Sequence, residues 1–123
     1  MNVKTLGENI IEYIQDNISF VRATGSAAMS LTLGTPVSGR TWKLKDLRIT
    51  LSAAGSSGSL TVTIDSSVTA AYDHLILTQD MTSVTYLRFD TETIIDADDE
   101  VDIVWANTAA ITYAIEALTE AIY

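Results

Sequence analysis

The chain has 123 residues, 47% of them apolar and 19% charged, with no cysteine and with seven Lys+Arg set against sixteen Asp+Glu for a net charge of −9. One domain with one core is the expectation. The composition is too apolar for intrinsic disorder, and no apolar run approaches the roughly 18–20 residues that cross a bilayer. Disulfide frameworks, thiolate metal sites and thiol nucleophiles are excluded, and the anionic field opposes general binding to nucleic acid or to anionic membranes.

The first segment lacks the basic, apolar and small-residue blocks of an export signal, being broken by Glu8, Glu12, Gln15 and Asp16. Between Val3 and Asn17, Leu6, Ile10, Tyr13 and Ile14 fall at spacings of three and four. This predicts a short amphipathic helix, which needs a surface to dock on: its own domain or a neighbouring subunit. Residues 1–25 are therefore expected to form an N-terminal helix or arm, and residues 26–123 the folded domain.

Past Ser19 the composition turns to Thr, Ser, Val, Ile and Leu and the apolar period falls to two, the mark of strands. Met29, Leu31 and Leu33 alternate with Ser30 and Thr32, and Gly34, Pro36 and Gly39 then punctuate a turn. From Arg40 to Ser52, Trp42 and Leu44 lie on one parity and Leu47, Ile49 and Leu51 on the other, which requires a bulge near Lys45 and Asp46. Ala53–Ser59 reads as a hairpin loop leading to Leu60, Val62 and Ile64. Tyr72–Thr78 carries Leu75, Ile76 and Leu77 as an expected buried cluster. Further strands are expected at Val84–Phe89, Thr93–Ile95, Val101–Trp105 and Ile111–Leu118. Seven to eight short strands with almost no second helical pattern predict an all-β fold, an antiparallel two-sheet β-sandwich of jelly-roll or related Greek-key type. An immunoglobulin-like sandwich is the alternative, without the cysteine pair of antibody domains.

Candidate chemistry is sparse. His74 is the single histidine, with no G-x-S-x-G elbow or local triad partner, so a structural or surface role is expected and no catalytic residue is assigned. Asp96, Asp98, Asp99 and Glu100, followed by Asp102, form the one cluster able to attract a hard cation such as calcium, although the spacing of an EF-hand is missing. The favoured reading is a solvated turn, with no cofactor. Of the aromatics Trp42, Trp105, Tyr72, Tyr86, Tyr113 and Tyr123, the two tryptophans are expected in the core with their indole N–H groups bonded, and a carbohydrate-binding face is not indicated. Arg40, Lys43, Lys45 and Arg48 crowd one strand, whereas no Lys or Arg follows Arg88. These two regions could meet between subunits, in which case salt would loosen the assembly, or cover a single monomer.

The stretch Trp42–Ser52, the loop Ala53–Ser59, the run Leu60–Ser66 and the segments Ala70–Asp73 and Val101–Thr108 resemble small β-sandwich proteins of bacteriophage virions, over about residues 40–115. The resemblance implies a non-enzymatic structural subunit located in the virion, of the capsid decoration (cement) or neck and tail accessory type. Its implied partners are copies of itself, as a homo-oligomer such as a trimer, and other virion proteins such as the major capsid protein. A tail or fibre module for host adhesion or carbohydrate binding is the alternative. No functional residue is carried over. Interaction residues are expected from the residues above: Leu6, Ile10, Tyr13 and Ile14 on the arm, and Arg40, Lys43, Lys45 and Arg48 on the basic strand.

Overall fold

The computed structural model describes residues 17–122. The helix expected over Val3–Asn17, with Leu6, Ile10, Tyr13 and Ile14, falls outside them apart from Asn17. Eight strands are present among the described residues: β1 (Ile18–Gly25), β2 (Met29–Leu33), β3 (Trp42–Leu51), β4 (Ser59–Asp65), β5 (His74–Asp80), β6 (Tyr86–Ile95), β7 (Glu100–Trp105) and β8 (Tyr113–Ala121). A single turn of 3₁₀ helix at Ala70–Tyr72 precedes β5.

The strands form two four-stranded sheets in the orders β1-β8-β3-β6 and β2-β7-β4-β5. Every strand pairing is antiparallel, and β1 pairs with β8, β2 with β7, β3 with β6 and β4 with β5. That nested pairing is what a long antiparallel hairpin gives when it is rolled up, and it defines the jelly roll, two Greek keys facing each other. The immunoglobulin alternative is excluded by the strand order.

Alternation places one side of each sheet in a shared core. Leu44, Leu47 and Ile49 from β3, Val62 from β4, Ile103 from β7 and Ala117 from β8 are fully buried. The bulge demanded by parity is present. Leu44 faces Thr119 and Asp46 faces Leu118, so Lys45 is an extra residue of β3 against β8, and Trp42 and Leu51 point inward together. Both tryptophans lie in the core and tie down loops, Trp42 Nε1 donating to the Asp96 carbonyl and Trp105 Nε1 to that of Ser57, each at 3.1 Å.

Four expectations change. Residues 18–25, assigned to the arm, form β1 and pair with β8 from Ile18↔Glu120 to Gly25↔Tyr113. The segments Val84–Phe89 and Thr93–Ile95 merge into β6, because Thr91 and Glu92 form an irregularity opposite Lys45 and do not turn the chain. Ala53–Ser59 is not a hairpin loop, since β3 and β4 belong to different sheets. It crosses between them, stapled to the 81–85 turn by Gly55 N–H to the Val84 carbonyl and Ser83 N–H to the Gly55 carbonyl. Glycine is required there: a Cβ on Gly55 would lie 2.0 Å from the Met81 carbonyl oxygen. Finally, the Leu75–Leu77 cluster is not buried. The β5 edge strand changes register between Leu77 and Leu75, leaving Leu75 largely exposed and Ile76 and Leu77 half-buried.

Candidate functional site: the outer face of the β1-β8-β3-β6 sheet

Charge is divided between the two sheets. No Lys or Arg occurs in β2, β4, β5 or β7. Arg22, Lys43, Lys45, Arg48 and Arg88 all lie in the other sheet, on the parity that alternation turns away from the core. Register aligns them in transverse rows. Arg22, Glu116, Arg48 and Arg88 lie side by side across β1, β8, β3 and β6, and Thr24, Ala114, Thr50 and Tyr86 form the outward row two residues further on.

The basic strand meets its acidic counterparts inside one chain. Lys43 Nζ lies 2.8 Å from Glu92 and Lys45 Nζ 3.1 Å from Glu120. The Lys43–Glu92 hydrogen bond holds the ammonium above its usual range and the carboxyl below its own. Asp46, buried beneath the arginines, accepts from Arg48 Nε at 2.8 Å and from Arg88 Nε at 3.2 Å. Arg22 Nε donates to Glu116 Oε2 at 2.7 Å. Arg40 stands apart on the β2–β3 connection and donates from Nη1 to Asn17 Oδ1 at 2.7 Å. Thus Lys43, Lys45 and Arg48 share one face and Arg40 does not, while the acidic C-terminal strand is their neighbour in the sheet.

Small side chains at Thr24, Ala114 and Thr50 leave a shallow depression of about 300 Å³ beside the arginine row, walled by Arg22, Arg48, Glu116 and Tyr86. A second hollow of about 290 Å³ adjoins it across Thr24, Thr50 and Ala114 and reaches Tyr113 and Ser52. Sequence reading missed this site. Arg22 fell in the segment taken for an arm, and Tyr86, Ala114 and Glu116 are joined to Arg48 only by register, which a linear pattern does not reveal.

The acidic loop is spent on local structure. The Asp96 carbonyl accepts from the Asp99 N–H, and Asp99 Oδ1 accepts from the Ser67 N–H and hydroxyl at 2.9 and 3.1 Å. Asp98 N–H approaches Asp96 Oδ1 at 3.4 Å, Glu100 stands opposite Asp65, and Asp102 accepts from Thr32 Oγ1 at 2.9 Å. Among the described residues no group of three His, Asp or Glu side chains is arranged to hold a metal ion. Desolvation, followed by the charges of Asp73, Asp102 and Asp99, raises the Asp65 carboxyl above its usual range, so this end of the second sheet is under anionic repulsion. His74 is exposed, opposite Ile64.

No protein-family model matches the chain, and no curated protein matches it in sequence. Among solved structures it is similar to the Yersinia pseudotuberculosis-derived mitogen, at 15% identity over 83% of this chain and 85% of that one with a TM-score of 0.45. It is also similar to a chain in the structure of the infectious bursal disease virus Gx strain, at 13% identity over 85% of this chain with a TM-score of 0.44. A third likeness is to a family two carbohydrate esterase from Cellvibrio japonicus, at 12% identity over 86% of this chain with a TM-score of 0.36. This chain covers 32% of the viral chain and 34% of the esterase.

Proposed function

We propose that this protein is a non-enzymatic structural subunit of a bacteriophage virion, a capsid decoration protein that binds the assembled head as a symmetric homo-oligomer, a trimer in the simplest arrangement. The reading rests on the resemblance of residues 40–115 to small virion β-sandwiches, and the observation that carries it is the nested strand order. A jelly roll is a two-layered block whose paired strands leave broad polar faces for lateral contact. That order also puts β1 at the margin of its sheet. In this proposal Leu6, Ile10, Tyr13 and Ile14 form the stripe that docks on a neighbouring copy or on the major capsid protein.

Quantitative mass spectrometry of purified particles tests the reading. A decoration subunit is expected in a copy number that scales with the capsomers, and washing it off should lower the temperature at which heads release DNA. A few copies per particle would move the assignment to the neck or tail. Absence from the particle would overturn it.

A further inference from the structure

The depression beside the arginine row has a donor and acceptor arrangement that the ion pairs of the sheet leave unused. Arg22 is held through Nε by Glu116 Oε2, and Arg48 through Nε by Asp46 Oδ2. Neither Nε bond uses the Nη amino groups, although the Arg22 guanidinium also lies over the Phe20 ring at 5.4 Å and Arg48 Nη1 pairs at long range with Glu116. Between the two arginines in the same row, Glu116 Oε1 stands 4.0 Å from Arg48 Nη1, an ion pair too long for a direct hydrogen bond. A hydroxyl between the two can accept from Arg48 Nη1 and donate to Glu116 Oε1 at ordinary hydrogen-bond lengths. Thr24 and Thr50 line the floor, and Tyr86, 54% exposed, gives an aromatic wall.

The geometry points to a binding site for a neutral saccharide on the outer face of the β1-β8-β3-β6 sheet, with a pyranose ring against Tyr86 and Ala114 and its vicinal hydroxyls shared between Glu116 and the arginine forks. The chemistry of the wall selects this class. A sugar diol is at once donor and acceptor, as the Arg48–Glu116 gap requires, and one C–H face of the ring is apolar enough to cover an aromatic side chain. An anionic ligand would meet Glu116 within the depression and a chain carrying a net charge of −9 around it. An apolar ligand would strip water from two guanidinium groups without replacing their bonds. The volume, about 300 Å³, stands at the small end of ligand sites and suits a single ring, with the adjoining hollow of about 290 Å³ in place for a second. The inference does not depend on assembly into a virion, since the depression belongs to one chain.

Saturation-transfer NMR on the full chain tests it, with the methyl glycosides of glucose, galactose, mannose and N-acetylglucosamine as neutral probes and glucuronate as the anionic one. At least one neutral probe should receive saturation and shift the resonances of Thr24, Thr50 and Ala114. Tyr86→Ala should weaken that binding roughly three- to tenfold. Ala114→Gln, which fills the floor from an exposed position, should abolish it with the melting temperature unchanged. Tyr72→Ala, which alters a tyrosine outside the depression that is similarly exposed, should leave it intact. Transfer to no neutral probe, tighter binding of glucuronate than of any neutral sugar, or equal weakening by Tyr72→Ala and Tyr86→Ala would each overturn the assignment.

Discussion

The Asn107 side chain anchors the β7–β8 connection. Its backbone is left-handed, with φ of 48°, and its side chain is buried at 3% exposure. Nδ2 donates to the carbonyls of Ala27 and Ile111, while Oδ1 accepts from the Ile111 N–H. Asn107→Ala should therefore destabilise by about 2–4 kcal/mol, from lost buried hydrogen bonds and from a left-handed backbone that alanine tolerates less well than asparagine. Asn107→Gly relieves the backbone term alone and should recover about 1 kcal/mol of that loss, a difference readable by urea denaturation. Asp46 offers a second case. Asp46→Ala leaves Arg48 and Arg88 without their shared acceptor, but both guanidinium groups are about half exposed and water replaces part of the interaction. The expected cost is about 1–2 kcal/mol by the same measurement. Beyond the bulge near Asp46 neither role is legible in the linear pattern, because Ala27 lies 80 residues from Asn107 and Arg88 42 residues from Asp46.

At the scale of elements, the edge strands decide what was legible. Trp42–Leu51, Leu60–Ile64 and Val101–Trp105 are central strands with a single buried face, and their period-two pattern shows it. The edges do not. In β1 the outward positions include Phe20, 54% exposed, while Val21 and Ala23 are only half-buried inward, so the alternation is lost. In β5 a bulge turns three consecutive apolar residues into an edge, and in β6 the outward Asp90 and Glu92 imitate a turn. The candidate site was less legible still, since it exists only where four strands lie in register.

Because β1 belongs to the sheet, two truncations should behave differently. Removal of residues 1–16 should leave a roll that unfolds cooperatively, whereas removal of residues 1–25 strips one of the two partners of β8 and should lower or abolish the urea transition. The acidic end of the other sheet makes a prediction in pH. The Asp65 carboxyl has a folded-state pKa above its unfolded value, so its protonated form favours folding. That favourable contribution is complete below the ordinary carboxylate range and disappears as pH rises through the raised folded value. Asp65→Asn should accordingly raise the melting temperature at neutral pH, and its advantage should shrink as the pH is lowered through the carboxylate range. A constant advantage across that range would mean that packing, and not charge, is responsible.

For the molecule as a whole, the intrachain pairing of its cations reverses the salt dependence expected of opposed patches. Lys43, Lys45, Arg48 and Arg88 already have carboxylate partners, and each copy approaches another with a net charge of −9. Repulsion between copies is screened over about 8 Å at physiological ionic strength, so for the proposed homo-oligomer added salt should strengthen self-association. Sedimentation velocity at low and high salt should show the larger species at high salt. Dissociation by salt would instead require cationic contacts between subunits.

The nested pairing of the strands also sets an order of events in time. The β4–β5 pair closes the shortest loop, whereas β1 must find β8 with Ser19 lying 100 residues from the Thr119 it pairs with. Loop-closure entropy grows with that separation, and a topology dominated by distant pairings folds slowly, in milliseconds to seconds. Assembly of the roll from its inner pair outward would make β1 the last strand to arrive and the first to leave. Its amide protons should then exchange with solvent sooner than those of β3 or β7, and a protease should nick the chain first at this seam.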